Sequence, residues 1–91
     1  MTEQHYNLAE IYKAMANPKR VAIVELLMKG EVSVDEISKK LKIPKSNVSQ
    51  HLSHLRHVGI IKPRRAGLSV FYEIAHPGIK QLSALKLSGA K

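Results

Sequence analysis

A short polar segment in the middle of the chain has side chains suited to reading the edges of DNA bases. Its residues, none of them acidic, are Lys45, Ser46, Asn47, Val48, Ser49 and Gln50. The carboxamide of Asn47 or Gln50 can pair with adenine, and the Lys45 ammonium can bind guanine or a phosphate. Small side chains between them allow the backbone to approach the bases. We therefore predict that this segment reads base pairs in the major groove.

The basic residues around this segment suit the phosphate backbone of nucleic acid. No acidic residue occurs between Glu36 and Glu73, although this window holds eight of the fifteen lysines and arginines of a chain whose formal charge is +8. Concentrated positive charge attracts phosphates, while a merely solvated face is the alternative that charge alone leaves open. The residues expected to hold DNA phosphates are Lys39, Lys40, Lys42, Arg64 and Arg65.

Two helices joined by a tight turn are predicted around the polar segment. Ser33 and Glu36 form a capping box that opens the first of these helices. Pro44 ends it, because the residue before a proline avoids helical backbone, and we expect the Ile43 side chain to plug the corner. The inward-facing residues of the second helix are Val48, Leu52 and Leu55. This succession is a helix-turn-helix, whose second helix is shaped to enter the major groove.

Two extended runs, residues 60–65 and 69–74, follow the second helix. Ala66 and Gly67 lie between the runs and predict a hairpin turn in which the glycine takes a positive φ. Pro63 has no amide hydrogen for a sheet ladder, so we expect an exposed two-stranded wing and not part of a larger sheet. The arginines beside the turn would reach phosphates or a narrow, A/T-rich minor groove.

The remaining segments predict further helices within a single domain. Apolar residues recur at helical spacing in a first helix, about residues 4–15, and in a last helix, about residues 77–87. Asn17 and Pro18 are typical of the cap and first position of another helix. The predicted fold over residues 1–91 is mainly α with a small β-hairpin. It is a winged helix-turn-helix ordered helix, helix, short strand, helix, helix, strand, strand, helix.

The composition excludes several classes of protein. The chain of 91 residues has no cysteine, which excludes disulfides and thiolate metal sites. It has no glycine-rich phosphate loop, nucleophile elbow or suitably spaced pair of carboxylates, so we expect neither an enzyme nor a cofactor. Its apolar runs are too short to span a bilayer, and its N-terminus does not resemble a signal peptide. We therefore expect a cytoplasmic protein with no membrane contact.

Four pieces of sequence, from about Met15 to Ile74, carry a family resemblance. They read AMANPKRVAIVELL, EVSVDEIS, KSNVSQHLSHLRHVGII and RRAGLSVFYEI. Together they resemble the ArsR/SmtB family of dimeric winged-helix transcriptional repressors. The resemblance implies that the first and last helices build a dimer, although ordinary packing within one chain is the alternative reading of their apolar faces. The implied interface residues are Leu8, Ile11, Tyr12, Met15, Ile79, Leu82 and Leu85.

The resemblance also implies a sensor, and there this chain departs from the family. Many members bind metal through a cysteine pair at the start of the third helix, where this chain has Ser33 and Asp35. Others use Asp and His along the last helix, where it reads His76-Pro77-Gly78. We therefore expect no metal site of either kind.

A histidine stripe remains as a candidate site. His51, His54 and His57 recur every third residue along the second helix of the helix-turn-helix. Imidazoles at this spacing can share a zinc or nickel ion, or respond to pH near 6. No carboxylate stands nearby in the sequence to complete a metal site, so we expect histidines that face phosphate or solvent.

These patterns predict a sequence-specific, double-stranded DNA-binding transcriptional regulator. We expect a repressor that acts as a homodimer, with an effector that the sequence does not identify. Two alternatives stay open: a winged helix used for protein interaction, and an architectural protein that coats DNA without sequence preference.

Overall fold

The computed structural model describes residues 1–79 and confirms the predicted fold class and the order of its elements. The elements are α1 (Glu3–Met15), α2 (Pro18–Met28), β1 (Val32–Ser33), α3 (Val34–Leu41), α4 (Lys45–His57), β2 (Ile61–Ala66) and β3 (Ser69–Ile74). Helical backbone begins again at Pro77. Two predicted interface residues, Leu82 and Leu85, lie outside the described residues. No helix within residues 1–79 combines the length and apolar character needed to cross a bilayer.

Side-chain caps fix the starts of the helices that lead to the helix-turn-helix. The Oδ1 atom of Asn17 accepts hydrogen bonds from the amides of Lys19 and Arg20, at 2.9 and 3.2 Å. Ser33 and Glu36 form the predicted capping box at the start of α3, with side chain and backbone bonded in both directions. These bonds satisfy amides that a helix start leaves without partners. The cap predictions from the sequence are confirmed.

The turn between α3 and α4 is fixed by a left-handed residue and a buried side chain. Lys42 has φ 56°, which ends α3. The side chain of Ile43 is buried, as expected for a residue that plugs the corner. The Oγ atom of Ser38 donates a hydrogen bond to the carbonyl oxygen of Ile43 at 2.6 Å. This bond anchors the turn to α3 and thereby sets the direction in which α4 leaves it.

The wing belongs to a three-stranded antiparallel sheet, so the expectation of an isolated two-stranded wing was wrong. The strand order is β1-β3-β2, and Val32 pairs with Tyr72. One edge of β3 would otherwise be left unpaired, and β1 satisfies part of it. Pro63 lies on β2, which is an edge strand, so its missing amide hydrogen costs no internal ladder bond. Gly67, at φ 64°, takes the positive φ predicted for the hairpin turn.

One apolar core supports both parts of the helix-turn-helix and the base of the wing. Its fully buried side chains come from α2, α3, α4 and the start of β2, and include Ile23, Ile37, Leu52, Leu55 and Ile61. Ile60, which precedes β2, is also fully buried, and its carbonyl accepts a hydrogen bond from the Ala75 amide at 2.8 Å. The core therefore anchors the base of the wing beside the end of α4.

Candidate nucleic-acid interface

The N-terminal half of α4 presents a row of small polar side chains to solvent. We call the exposed residues Ser46, Asn47, Ser49 and Gln50 the reading surface. Val48, which was also predicted to read bases, is fully buried among the core residues. It therefore cannot touch a base, and its role is corrected to anchoring the helix. Together with Leu52 and Leu55, it forms the inward face that leaves the reading surface pointing outward.

The first turn of α4 has no side-chain cap. Pro44 occupies the N-cap position and offers no side-chain hydrogen bond. Its carbonyl oxygen accepts from the Val48 amide at 3.0 Å, which begins the helical ladder. The side chains of Ser46 and Asn47 bond to each other at 3.3 Å and do not cap the helix. Uncapped amides and the positive end of the helix dipole both favour a phosphate at this position.

Lys45, the first residue of α4, is held by an acidic residue of α3. Its Nζ atom lies 2.6 Å from Oδ1 of Asp35, and both side chains are largely exposed. The hydrogen bond and the charge of Lys45 lower the pKa of the Asp35 carboxyl. Asp35 lies outside the acid-free window of the sequence, but in the fold its carboxylate contacts the first residue of the predicted reading segment.

Arg64, which was predicted to hold a DNA phosphate, is also paired with an acidic residue. Its Nε and Nη2 atoms each donate to a carboxylate oxygen of Glu31 at 2.6 Å. Its guanidinium also lies 5.7 Å from the centre of the Phe71 ring. The hydrogen bond from Arg64 lowers the pKa of Glu31, and the hydrogen bond to Glu31 raises the pKa of Arg64. Sequence reasoning missed this partner because no local signal links positions so far apart.

The other predicted phosphate-binding cations remain exposed. Lys39, Lys40 and Lys42 line the end of α3, beside the turn into α4. Arg65 is exposed on the wing and makes no ion pair within residues 1–79. At the tip of the same hairpin, Leu68 is fully exposed. Exposed positive charge therefore lies on α3, beside the turn into α4, and on the wing.

The histidine stripe on α4 does not form a ligand cluster in the described part of the chain. His51 is half-buried, whereas His54 and His57 are exposed. Burial, with the nearby charges of Arg20 and Lys19 and the neighbouring His54, lowers the pKa of His51. No three residues of the His, Asp or Glu type come together in residues 1–79 as a metal site would need.

The apolar face of α1 divides into a buried part and an exposed part. Leu8 and Tyr12 are 43% and 58% exposed. Ile11 is 8% exposed and Ile79 only 1%, so these two predicted interface residues belong to the core of their own chain. Met15 is partly buried against the same core. Packing within one chain therefore accounts for part of the apolar face of α1, and Leu8 and Tyr12 remain exposed.

Comparison with known proteins identifies the family to which this arrangement belongs. Residues 17–62, half of the chain, match the family described as bacterial regulatory protein, arsR family. The match runs from the cap of α2 through the helix-turn-helix to the first strand of the wing. The chain belongs to the ArsR family. It is a transcriptional regulator with a winged-helix DNA-binding domain, and the resemblance predicted from the sequence is confirmed.

Three relatives of this ArsR-family chain illustrate the likeness. The transcriptional activator HlyU of Vibrio cholerae is 37% identical over 82% of this chain and 69% of its own length. Its solved structure superposes with a TM-score of 0.87 at 34% identity, covering 94% of each chain. The transcriptional repressor PagR of Bacillus anthracis is 40% identical over 85% of this chain and 78% of its own length.

The third relative is a fragment from Mycobacterium bovis described as a homodimeric winged helix-turn-helix DNA-binding domain. Its structure has a TM-score of 0.83 and 29% identity to this ArsR-family chain. The match covers 94% of this chain and 83% of the fragment.

Proposed function

We propose that this protein binds specific sites in double-stranded DNA by placing α4 of each subunit of a homodimer in successive major grooves. The observation that carries the proposal is the reading surface, since Ser46, Asn47, Ser49 and Gln50 are exposed while Val48 fixes the same turns to the core. Amide and hydroxyl side chains on a rigid helix can form directed hydrogen bonds with base edges. Lys45 would add a contact to guanine or phosphate.

The affinity of the complex would come mainly from phosphate contacts. Lys39, Lys40 and Lys42 are exposed at the end of α3, and Arg65 is exposed on the wing. If each subunit neutralises about four phosphates, the logarithm of the binding constant should fall with the logarithm of salt concentration with a slope of about −7. This term carries no sequence information, so it should act equally on specific and random duplexes.

The homodimer is supported by the uncovered part of α1 and by a relative. Leu8 and Tyr12 expose apolar surface that a second copy can cover, and the fragment from Mycobacterium bovis is described as homodimeric. A two-fold axis would relate the two copies of α4, so the bound site should be pseudo-palindromic. Its half-sites should lie about one helical turn of DNA apart.

We propose that binding represses transcription. PagR is named as a repressor, and a dimer bound across a promoter excludes polymerase by occupying the same DNA. HlyU is named as an activator, so the position of the site relative to the promoter decides whether binding represses or activates transcription. A reporter fused to the bound promoter tests this, because loss of the protein should raise expression. Lower expression on its loss would make the protein an activator.

Specific binding is tested by competition between duplexes. A selected site should be bound at least about 10³ times more tightly than random duplex of the same length at physiological salt. Equal affinity for both would instead identify an architectural protein that coats DNA. Binding to neither duplex would leave the winged helix as a protein-interaction module.

A further inference from the structure

The side chains of three residues, Arg64, Phe71 and Glu31, form a row across the sheet of the wing. Arg64 on β2 pairs with Phe71 on β3, and Phe71 pairs with Ser33 on β1. Glu31 lies two residues before Ser33, at the end of the loop that leads into β1. The guanidinium of Arg64 reaches across the central strand, passes 5.7 Å from the Phe71 ring, and meets Glu31. The two outer edges of the sheet are thereby connected by side chains.

This connection joins the wing to the helix-turn-helix. β1 contains only Val32 and Ser33, and Ser33 is also the cap of α3. A strand this short offers few backbone bonds to hold the hairpin in place. The pair between Arg64 and Glu31 has two parallel hydrogen bonds, each 2.6 Å long, in the forked geometry that favours a single orientation. It therefore restrains the angle between the wing and α3.

We propose that Glu31 and Arg64 are positioning residues that set the orientation of the wing for DNA, and that Arg65 is the wing residue that holds phosphate. This rests on the proposed function of the wing in DNA binding. Arg64 donates from Nε and Nη2 to Glu31, whereas Arg65 is exposed and makes no ion pair in residues 1–79. The two neighbouring arginines, which look equivalent in the sequence, thus have different roles.

The two roles make opposite predictions for the removal of the negative charge of Glu31. A phosphate contact by Arg64 would make Arg64→Gln weaken DNA binding, whereas Glu31→Gln would strengthen it by removing a negative charge. A positioning pair makes both substitutions weaken binding, because each breaks the same link. Exposed ion pairs stabilise a folded protein only slightly, so both variants should remain folded and unfold at nearly the same denaturant concentration as the unaltered protein.

The experiment measures the affinity and salt dependence of the full chain for its selected duplex. Glu31→Gln and Arg64→Gln should each weaken binding by up to about fivefold with an unchanged salt slope. The swap that combines Glu31→Arg with Arg64→Glu should recover affinity toward that of the unaltered protein. Arg65→Gln is the matched control, and in a dimer it should make the salt slope less steep by about 2. A reduced slope for Arg64→Gln, tighter binding by Glu31→Gln, or failure of the swap would overturn the proposal.

A measurement without DNA separates this proposal from the proposed function. Amide hydrogen exchange of Phe71 and Tyr72 on β3 should become faster in Glu31→Gln and Arg64→Gln, and should stay unchanged in Arg65→Gln. Unchanged exchange in all three variants would overturn the positioning role even if DNA binding is specific. Faster exchange in a protein that binds no duplex would support the link while refuting the proposed function.

Discussion

The Nζ atom of Lys45 lies 2.6 Å from Oδ1 of Asp35, which joins the first residue of α4 to the first turn of α3. Both side chains remain largely exposed to solvent. The pair therefore places a carboxylate at the point where the helix end and its lysine would otherwise attract a phosphate. In the proposed mode of binding, Asp35 would compete with DNA for Lys45 and lower the net attraction of this end of α4 for any duplex.

Replacing Asp35 by Asn should increase affinity for all duplexes. The substitution removes the competitor for Lys45 and one negative charge, and an exposed pair of this kind accounts for up to about fivefold in binding. Titration of selected and random duplexes with Asp35→Asn should show a similar gain for both. Glu3→Gln is the control, since it removes an acid in the first turn of α1 and should change neither affinity. Weaker binding to the selected site alone would show that Asp35 orients Lys45 toward a base.

Replacing Ser49 and Gln50 together by Ala should reduce discrimination more than affinity. Both residues belong to the reading surface, and loss of a directed contact with a base costs about 1–3 kcal/mol. The ratio of affinities for selected and random duplexes should fall about tenfold or more, while random binding stays unchanged. Ser53→Ala removes an exposed hydroxyl farther along α4 and serves as the control. Equal weakening on both duplexes would remove these residues from base reading.

Replacing Tyr12 by Glu should separate the subunits. A carboxylate buried in an apolar interface without a partner costs about 2 kcal/mol or more, equivalent to at least about 30-fold in dimer dissociation. Analytical ultracentrifugation should show monomers, and affinity for a two-half-site duplex should fall with them. Tyr6→Glu introduces the same charge elsewhere on α1, where the side chain is 63% exposed. Dissociation by Tyr6→Glu but not by Tyr12→Glu would place the interface on another face of the helix.

Folding stability should decrease as pH falls from 7.5 to 5, and His51 should be responsible for part of the decrease. Burial and the nearby charges lower its pKa in the folded protein. Below about pH 6.5, the ordinary pKa of histidine, His51 binds a proton more readily in the unfolded chain than in the folded protein. The contribution of His51 to folding stability is therefore complete above about pH 6.5 and is lost as pH falls through its lowered pKa in the folded protein. Denaturant midpoints of His51→Gln should depend less on pH than those of the unaltered protein.

The exposed Ser53, on the same helix, provides the control for this titration. Ser53→Ala should keep the pH dependence of the unaltered protein in denaturant titrations from pH 5 to 7.5. The pKa values of Glu31 and Asp35 are lowered from ordinary values that already lie below this window, so these carboxylates contribute little to the comparison. If His51→Gln and the unaltered protein lose stability equally between pH 7.5 and 5, another group is responsible.

Local signals in the sequence were sufficient to predict the helices, the caps of α2 and α3, and the turn. Asn17 and Ser33 act through residues two or three positions away, so the chemistry of each cap can be read from a short window. The buried position of Ile43 follows in the same way from the proline after it. Val48 shows the limit of reading a segment as a block, because helical periodicity turns it inward while its neighbours face solvent.

Pairings between distant segments could not be predicted from the sequence. Arg64 and Glu31 are 33 positions apart, and their contact depends on β1 joining the far edge of β3. A strand of two residues has no periodicity to detect. The contact of Lys45 with Asp35 depends similarly on how α3 and α4 cross. The acid-free window is therefore a property of the sequence, while three acids from outside it, Glu31, Asp35 and Glu73, reach its cations in the fold.

Selection of duplexes from a random pool is the most direct test of DNA reading by the α4 helices of a dimer. The protein, at physiological salt, should enrich one pseudo-palindromic sequence whose half-site centres lie about 10–10.5 base pairs apart. The Ser49→Ala and Gln50→Ala double variant should enrich it poorly. A pool that stays random after repeated rounds, or a single unpaired half-site bound equally well by monomer, would contradict specific recognition by a dimer.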